Sequence, residues 1–275
     1  MELERQLGAI RARGLAVAAI SYDSVDILRD FAARRGITFP LLSDKDSAVI
    51  RRFGLQNPEF PPGNLAHGVP YPGTFVTDSA GVVTSRFFED SYAERRTAAS
   101  LLSVAGDTPG ATVQQVCNAA FTLRSSLSNE QAAPGQRITL VLDFEMQPGM
   151  HAYAPGAAGY RALALRLEPQ PLLTAHDTLF PDARPYHFVP LDETVPVFEG
   201  RFRVTRDLTL AGGRDPALNE ALKAPDPRLE LRGTLEYQAC SDRVCYPPAS
   251  EALTWTVGLI PLDRERSPQP IRHQP

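Results

Sequence analysis

Tyr237-Gln238-Ala239-Cys240-Ser241-Asp242-Arg243-Val244-Cys245-Tyr246-Pro247-Pro248 sets two cysteines on either side of four residues rich in turn formers. The flanking residues read as extended, so the stretch reads as a hairpin. Facing residues of a hairpin have Cα atoms about 4.5–5.5 Å apart, which is disulfide range. The pair can therefore open and close with little backbone movement. Three other readings stand beside a working pair. A structural disulfide here closes a very short ring. Loop entropy gives it about 2 kcal/mol, against ~4.7 kcal/mol for a hundred-residue loop. That difference tilts the reading modestly toward a working pair. Half of a zinc site would need a second pair of Cys or His at ligand spacing, and none is visible. Two reduced thiols in a cytosolic protein are the third.

The surroundings of this hairpin are all β in texture. Phe121-Thr122-Leu123, Arg137 to Phe144, Ala162 to Leu167, Arg201 to Leu210, Leu229 to Tyr237 and Ala252 to Val257 alternate apolar and polar residues. Pro and Gly interrupt them at short intervals, the pattern of a β-sandwich. Pro216 to Lys223 alone looks helical, and the residues after Asp263 are polar and Pro-rich.

Before residue 110 the texture differs. Leu3, Leu7 and Ile10 share a helical face, and Leu15 to Ser21 is a continuous apolar run suited to a buried parallel strand. Val25 to Arg35 and Ser47 to Phe53 read as helices closed by Gly36 and Gly54. Thr74 to Asp78 and Val82 to Phe88 flank a Ser79-Ala80-Gly81 turn, and Tyr92 to Val104 reads as a last helix. This alternation indicates an α/β unit that ends at the linker Gly106 to Gly110. A length of 275 residues accommodates two domains. The 25 prolines, about twice the usual ~5%, argue against a helical bundle. A net charge of −4 offers no basic field for nucleic acid. No apolar run approaches the ~18 residues of a membrane span.

Two resemblances add to this reading. Val69-Pro70-Tyr71-Pro72-Gly73-Thr74-Phe75-Val76-Thr77-Asp78 resembles the cis-proline loop of thioredoxin-like redoxins. With Ala19 to Ser24, Phe31-Ala32 and Gly36 to Asp44, it looks like the alkyl hydroperoxide reductase/thiol-specific antioxidant family over residues 1–104. In that family the reactive cysteine opens the helix before the Ala-Ile-Ser strand. Here that helix begins at Met1, and residues 1–116 contain no cysteine. We expect that the family's first strand and cysteine loop, with any signal peptide, belong upstream of Met1. The competing reading is a naturally redox-dead scaffold. Either way, this half as given cannot perform thiolate chemistry.

The hairpin, Pro148 to Tyr153 and Val197 to Gly200 resemble the N-terminal periplasmic domain of the thiol:disulfide interchange protein DsbD, an immunoglobulin-like sandwich. The cysteine loop looks one residue shorter here. The resemblance implies that Cys245 forms the mixed disulfide with a partner and Cys240 resolves it. It implies a cap loop within Tyr186 to Leu191, and the redoxin resemblance implies Pro72 as a cis residue. Arg243 can lower a thiolate pKa and Asp242 opposes it, although both also read as solvated turn residues. Tyr153, Phe198, Tyr237 and Tyr246 can shield the sulfurs or fill the core. Cys117 reads as buried and inert, and His151, His176, His187 and His273 show no relay spacing.

The expected architecture is an incomplete thioredoxin-like α/β domain over 1–107, a DsbD-like sandwich over 108–262 and a flexible tail over 263–275. The expected function is thiol–disulfide interchange without a metal or organic cofactor, in the periplasm or outside the cell. The expected partner is a thioredoxin-like protein or domain with a reactive dithiol, with a membrane electron donor as a further candidate. Two rivals are a thiol peroxidase whose cysteine lies upstream and a docking module with a structural disulfide.

Overall fold

The computed structural model describes residues 2–64, 66–88, 94–104, 114–188 and 192–272. The chain divides into one compact unit of Met1–Ala98 with Leu262–Pro275, and a second of Ala99–Pro261. The expected linker at Gly106 to Gly110 lies outside the described residues.

In the first unit, α1 (Glu2–Arg11) buries Leu7 and Ile10. Helix α2 (Val25–Arg35) starts where Ser24 Oγ accepts from Ile27 N and stops at Gly36, whose φ of 61° suits a residue without a Cβ. Strands β1 (Ala19–Ser21) and β2 (Leu41–Ser43) pair in parallel, Ala19 opposite Leu41. Helix α3 (Ala48–Arg52) begins where Asp44 accepts from Val49 and Ile50 N–H groups. The hairpin β3 (Gly73–Thr77) and β4 (Val83–Phe88) turns at Asp78, whose Oδ1 accepts from Ala80 and Val82. The short strand β5 (Arg95–Arg96) lies near the end of this unit, and α4 (Ala98–Val104) belongs from Ala99 onward to the second.

Several expectations are corrected by this unit. The Leu15–Ser21 run yields a strand of three residues, and its Ile20 is 46% exposed rather than buried. A parallel strand is buried when layers cover both its faces, and this sheet has two strands. The helix expected over Tyr92 to Val104 begins at Ala98; Arg95 and Arg96 are extended, and residues 91–93 lie outside the described ones. The Tyr71–Pro72 bond is trans. Trans is the default for an X–Pro bond by about 0.5–1 kcal/mol, and a cis bond persists where packing selects it. The tail, expected to be free, is tied to α2: Arg35 pairs with Asp263 and Glu265, each at 2.6 Å.

The second unit is a stack of sheets. One runs β12 (Leu173–Leu179), β15 (Arg201–Leu210), β9 (Gln136–Met146), β7 (Phe121–Leu127), β6 (Gln114–Cys117). A second runs β11 (Ala164–Leu167), β16 (Arg228–Tyr237), β18 (Ala249–Leu259), β8 (Gln131–Ala132). Strict alternation along β16 sends Leu229, Leu231, Leu235 and Tyr237 inward. They meet Leu123, Leu140, Leu142 and Phe144 from the first sheet in one core. At about 1.5–3 kcal/mol per buried large side chain, this core dominates the stability of the unit. Trp255 joins both sheets through its indole N–H to Ser125 Oγ at 2.7 Å. Gly233 is required beside it: a Cβ there would come within 2.8 Å of Arg166 O and 3.3 Å of the Trp255 ring. Helix α5 (Pro216–Ala221), capped by Asp215, matches the single expected helical turn.

The third sheet runs β13 (Arg184–Phe188), β14 (Glu193–Glu199), β10 (Met150–Tyr153), β17 (Ala239–Ser241). Strand β17 is its edge and carries Cys240.

Candidate functional site: a dithiol under a tyrosine

Parity decides what surrounds the sulfurs. In β10, Ala152 stands opposite Phe198 and Ala239, and all three point into the main core. The preceding residue, His151, stands opposite Cys240 on one side and Glu199 on the other. Cys240, His151, Tyr153 and Val197 therefore face away from the main core. Tyr153, Ala157, Val195, Val197 and Cys240 form a second, smaller apolar cluster, with Tyr160 and Tyr186 against it.

Cys240 and Cys245 face each other across an antiparallel bridge as free thiols. The turn between them is tight: Ser241 N donates to Val244 O, and Ser241 Oγ accepts from the Arg243 and Val244 N–H groups. Tyr246 N donates to Ala239 O, closing the hairpin one residue beyond the pair. The two sulfurs differ in access. Cys240 is 1% exposed, whereas Cys245 is exposed. One hydroxyl serves both: Tyr153 OH donates to Cys240 Sγ at 3.2 Å and lies 3.5 Å from Cys245 Sγ.

Electrostatics follow from this burial. Desolvation, reinforced by Cys245, pushes the Cys240 thiol up to about 11, while the Tyr153 hydrogen bond acts to lower it. Burial, then the two thiols, keeps the Tyr153 hydroxyl protonated far above its ordinary range. Desolvation holds His151 below its usual value, with Glu199 opposing. Tyr160 is raised, first by its hydrogen bond to Glu193.

The residues singled out from the sequence separate accordingly. Tyr153 lies at the sulfurs. Phe198 does not: it stacks on Phe180 and Phe202 inside the main core. Tyr237 also faces that core, edge-on to Phe121, with its hydroxyl donating to Glu251. Both side chains take the face opposite to that of the sulfurs. Tyr246 flanks the pair in the hairpin but is 43% exposed. Arg243 lies 3.7 Å from Asp242, and both are solvent-exposed; the Cys240 shift comes from burial, Cys245 and Tyr153 instead. Pro72 belongs to the other unit. Cys117, expected to be buried, is exposed, because it ends the edge strand β6 on its solvent side.

Four further residues complete the surroundings of the sulfurs. His151 packs on the Tyr186 ring at 4.3 Å and edge-on to Tyr153 at 5.6 Å. Tyr160 stacks on Tyr153 at 4.0 Å. Gln238 ties two loops, accepting from Arg161 N and donating to Tyr246 O. Tyr186 opens the expected cap segment, of which residues 189–191 lie outside the described ones. No sequence signal marks Tyr160, which a loop brings in, and His151 meets Cys240 through cross-strand register. Among the described residues, no group of three or more His, Cys, Asp or Glu side chains converges as a metal site.

Residues 1–86 match the AhpC/TSA family, and residues 124–256 match the family Thiol:disulfide interchange protein DsbD, N-terminal. The chain thus joins a thioredoxin-like AhpC/TSA region to a β-rich, immunoglobulin-like DsbD N-terminal region. Two Mycobacterium tuberculosis proteins (strains CDC 1551 and H37Rv) that carry the name peroxiredoxin are 38% identical over 77 residues. Those residues are 28% of this chain and 48% of theirs. A Buchnera aphidicola protein named peroxiredoxin is 29% identical over 83 residues, covering 30% of this chain and 52% of that protein. The chain spans about half the length of the curated relatives it matches. Among solved structures, the N-terminal periplasmic domain of ScsB from Proteus mirabilis aligns with TM-score 0.36 and 14% identity, over 51% of this chain and 49% of that one. The reduced Neisseria meningitidis DsbD N-terminal domain aligns with TM-score 0.31 and 18% identity, over 50% of this chain and 90% of that one.

Proposed function

We propose that this protein exchanges thiols with disulfides through Cys240 and Cys245. The observation that carries the reading is the pairing of an exposed Cys245 with a 1%-exposed Cys240 under one hydroxyl. The match of residues 124–256 supports it independently. A thiol raised to about 11 is thiolate in only about one molecule in ten thousand at pH 7, so Cys240 is a poor entering nucleophile. Cys245 can meet a partner; Cys240 can reach only Cys245.

The exchange runs in two displacements. The Cys245 thiolate attacks a partner disulfide, an S–S bond forms between the two proteins, and one partner thiolate leaves. Cys240 then attacks Cys245, the intramolecular disulfide forms, and the second partner thiolate leaves. The partner gains two electrons and the pair loses two; the reverse sequence reduces the pair. The partner class is a thioredoxin-like protein or domain with a reactive dithiol, a membrane electron donor is a further candidate, and the setting is extracytoplasmic, where disulfides persist.

The test is a trap. Cys240→Ser should accumulate a mixed disulfide through Cys245, resolved by reductant, while Cys245→Ser accumulates none. Capture of no thioredoxin-like partner by Cys240→Ser would count against exchange.

A thiol peroxidase is the second reading, favoured by the peroxiredoxin-named relatives. Residues 1–116 hold no cysteine, so this reading needs a peroxide-reacting cysteine that the AhpC/TSA-matching region does not supply, with Cys240 and Cys245 as its reductant. Peroxide consumption that requires such a cysteine and is lost in Cys245→Ser distinguishes it.

A further inference from the structure

The arm of the hairpin that carries Cys245 is lightly held. None of residues 242–250 is buried, so no core contact fixes it. Pro247 and Pro248 follow Tyr246 and have no N–H, so the backbone ladder cannot continue along this arm. It resumes where Ala249 of β18 faces Tyr237. In between, Tyr246 N donates to Ala239 O at 3.1 Å, and the Tyr246 carbonyl accepts from a side chain, Gln238 Nε2 at 3.1 Å. Gln238 is two residues from Cys240 and shares its face, because Tyr237 and Ala239 point into the main core. The other end of the same amide accepts from Arg161 N at 3.0 Å, and the Gln238 carbonyl accepts from Tyr153 N at 3.3 Å. One residue therefore joins the Cys245 arm to the strand that carries Tyr153 and to the loop that follows that strand. All of these bonds are present with both thiols reduced.

We propose that Gln238 is a positioning residue that holds Cys245 across from Cys240 in the reduced protein and so sets how readily the pair closes. The inference rests on the exchange reading above. In the disulfide form the S–S bond itself fixes the arm. In the dithiol form the Gln238 bond to Tyr246 does so. Removing that bond frees the arm in the dithiol alone, which favours the dithiol over the disulfide by the regained chain entropy. The loss falls on ring closure, in which Cys240 Sγ attacks Cys245 Sγ of the mixed disulfide. There the Cys240–Cys245 bond forms, the Cys245–partner bond breaks, and its electron pair leaves with the partner thiolate. Entry at the exposed Cys245 needs no such alignment. A neutral hydrogen bond of this kind shifts an equilibrium about fivefold.

The experiment equilibrates the full chain with reduced and oxidised glutathione near neutral pH and quantifies the Cys240–Cys245 bond. Cys117 is exposed, so every protein carries Cys117→Ser, which leaves Cys240 and Cys245 as its thiols. The pair gives up two electrons, glutathione disulfide takes them, and both protons end on the two glutathione thiols. Gln238→Met, which keeps the length of the side chain and neither of its bonds, should lower the constant for ring closure about fivefold. At about 30 mV per tenfold, that moves the potential about 20 mV in the less negative direction. Gln238→Glu, which keeps an acceptor for Arg161 N but has no donor for Tyr246 O, should do the same. Alkylation of Cys245 by iodoacetamide should keep its rate in both. An unchanged constant in Gln238→Met overturns the proposal, whether or not the fold loses stability. So does a drop in Gln238→Met that Gln238→Glu does not share, which assigns the effect to Arg161. Slower alkylation of Cys245 in either variant places the effect at entry and overturns it as well. If the Cys117→Ser protein forms no Cys240–Cys245 bond, the exchange reading falls and this inference with it.

Discussion

Leu42 and Leu142 sit in apolar stretches that look alike, and they meet opposite fates. Leu42, in the two-stranded parallel sheet of the AhpC/TSA region, is 51% exposed; Leu142, in β9 of the sandwich, is 0% exposed. The contrast extends to their regions. Ile20, Val25, Phe53 and Val82 of the first unit are each more than two-fifths exposed. The sandwich buries its long alternating strands and also builds a second, separate apolar cluster around one sulfur. Apolar sequence alone therefore does not make a core; a covering layer does. The cysteines divide the same way, since all three lie outside the first unit.

The largest effect should come from making the same change in both regions. Leu142→Ala should lower the unfolding free energy of the sandwich by about 2–5 kcal/mol, by lost transfer energy and a cavity. Leu42→Ala should change stability by no more than about 0.5 kcal/mol. Denaturant unfolding of the full chain reads both. Similar losses at the two positions would break the comparison.

Next comes the hydroxyl over the sulfurs. Tyr153→Phe removes the group that lowers the Cys240 pKa. A hydrogen bond to a charged group contributes about 1.5–3 kcal/mol, so the Cys240 alkylation profile should move upward by about 1–2 pH units. Mass-spectrometric alkylation of each cysteine against pH would register it, and Cys117 in the same sample is the internal control.

A smaller effect should appear at His151. Its folded pKa lies below the unfolded value of about 6.5. In the window between them the unfolded chain binds a proton that the folded chain does not. The contribution is fully present above about pH 6.5 and is lost as pH falls through that value toward the folded pKa. The melting temperature of the sandwich should thus fall on acidification, and less steeply in His151→Gln. Parallel curves would contradict this.

The smallest effect belongs to the loop charges. Asp242 and Arg243 are exposed and 3.7 Å apart, so replacing both with Ala should alter the Cys245 alkylation rate less than about threefold.

How much of the molecule is legible in its sequence depends on which physics sets each residue. Helix α2 can be read to the residue because Ser24 and Gly36 are local start and stop signals. Strands β16 and β18 can be read because each has one buried face and alternates. Strand β10 cannot, since all four of its residues are buried and no period survives. That strand carries Tyr153 and His151, so the sulfurs' surroundings are only partly visible. Tyr153 is a candidate from sequence, but its partners are not: Tyr160 comes from a loop, and His151 meets Cys240 only through long-range strand register. For Phe198 and Tyr237 the sequence leaves shielding and core both open for a related reason, and the structure puts both in the core. Nearness in sequence to the motif says nothing of which face a strand residue takes, and a single step changes it.

Whether Cys240 and Cys245 form a working pair or an inert staple is tested most directly by the reduction potential of that pair. It can be measured by equilibrating the purified chain with dithiol buffers and quantifying the intramolecular disulfide. A working pair predicts a reversible two-electron couple lying between about −300 and −120 mV, the span above inert structural disulfides in which exchange proteins operate. A potential well below about −300 mV, or no Cys240–Cys245 bond under any oxidising condition, would contradict it.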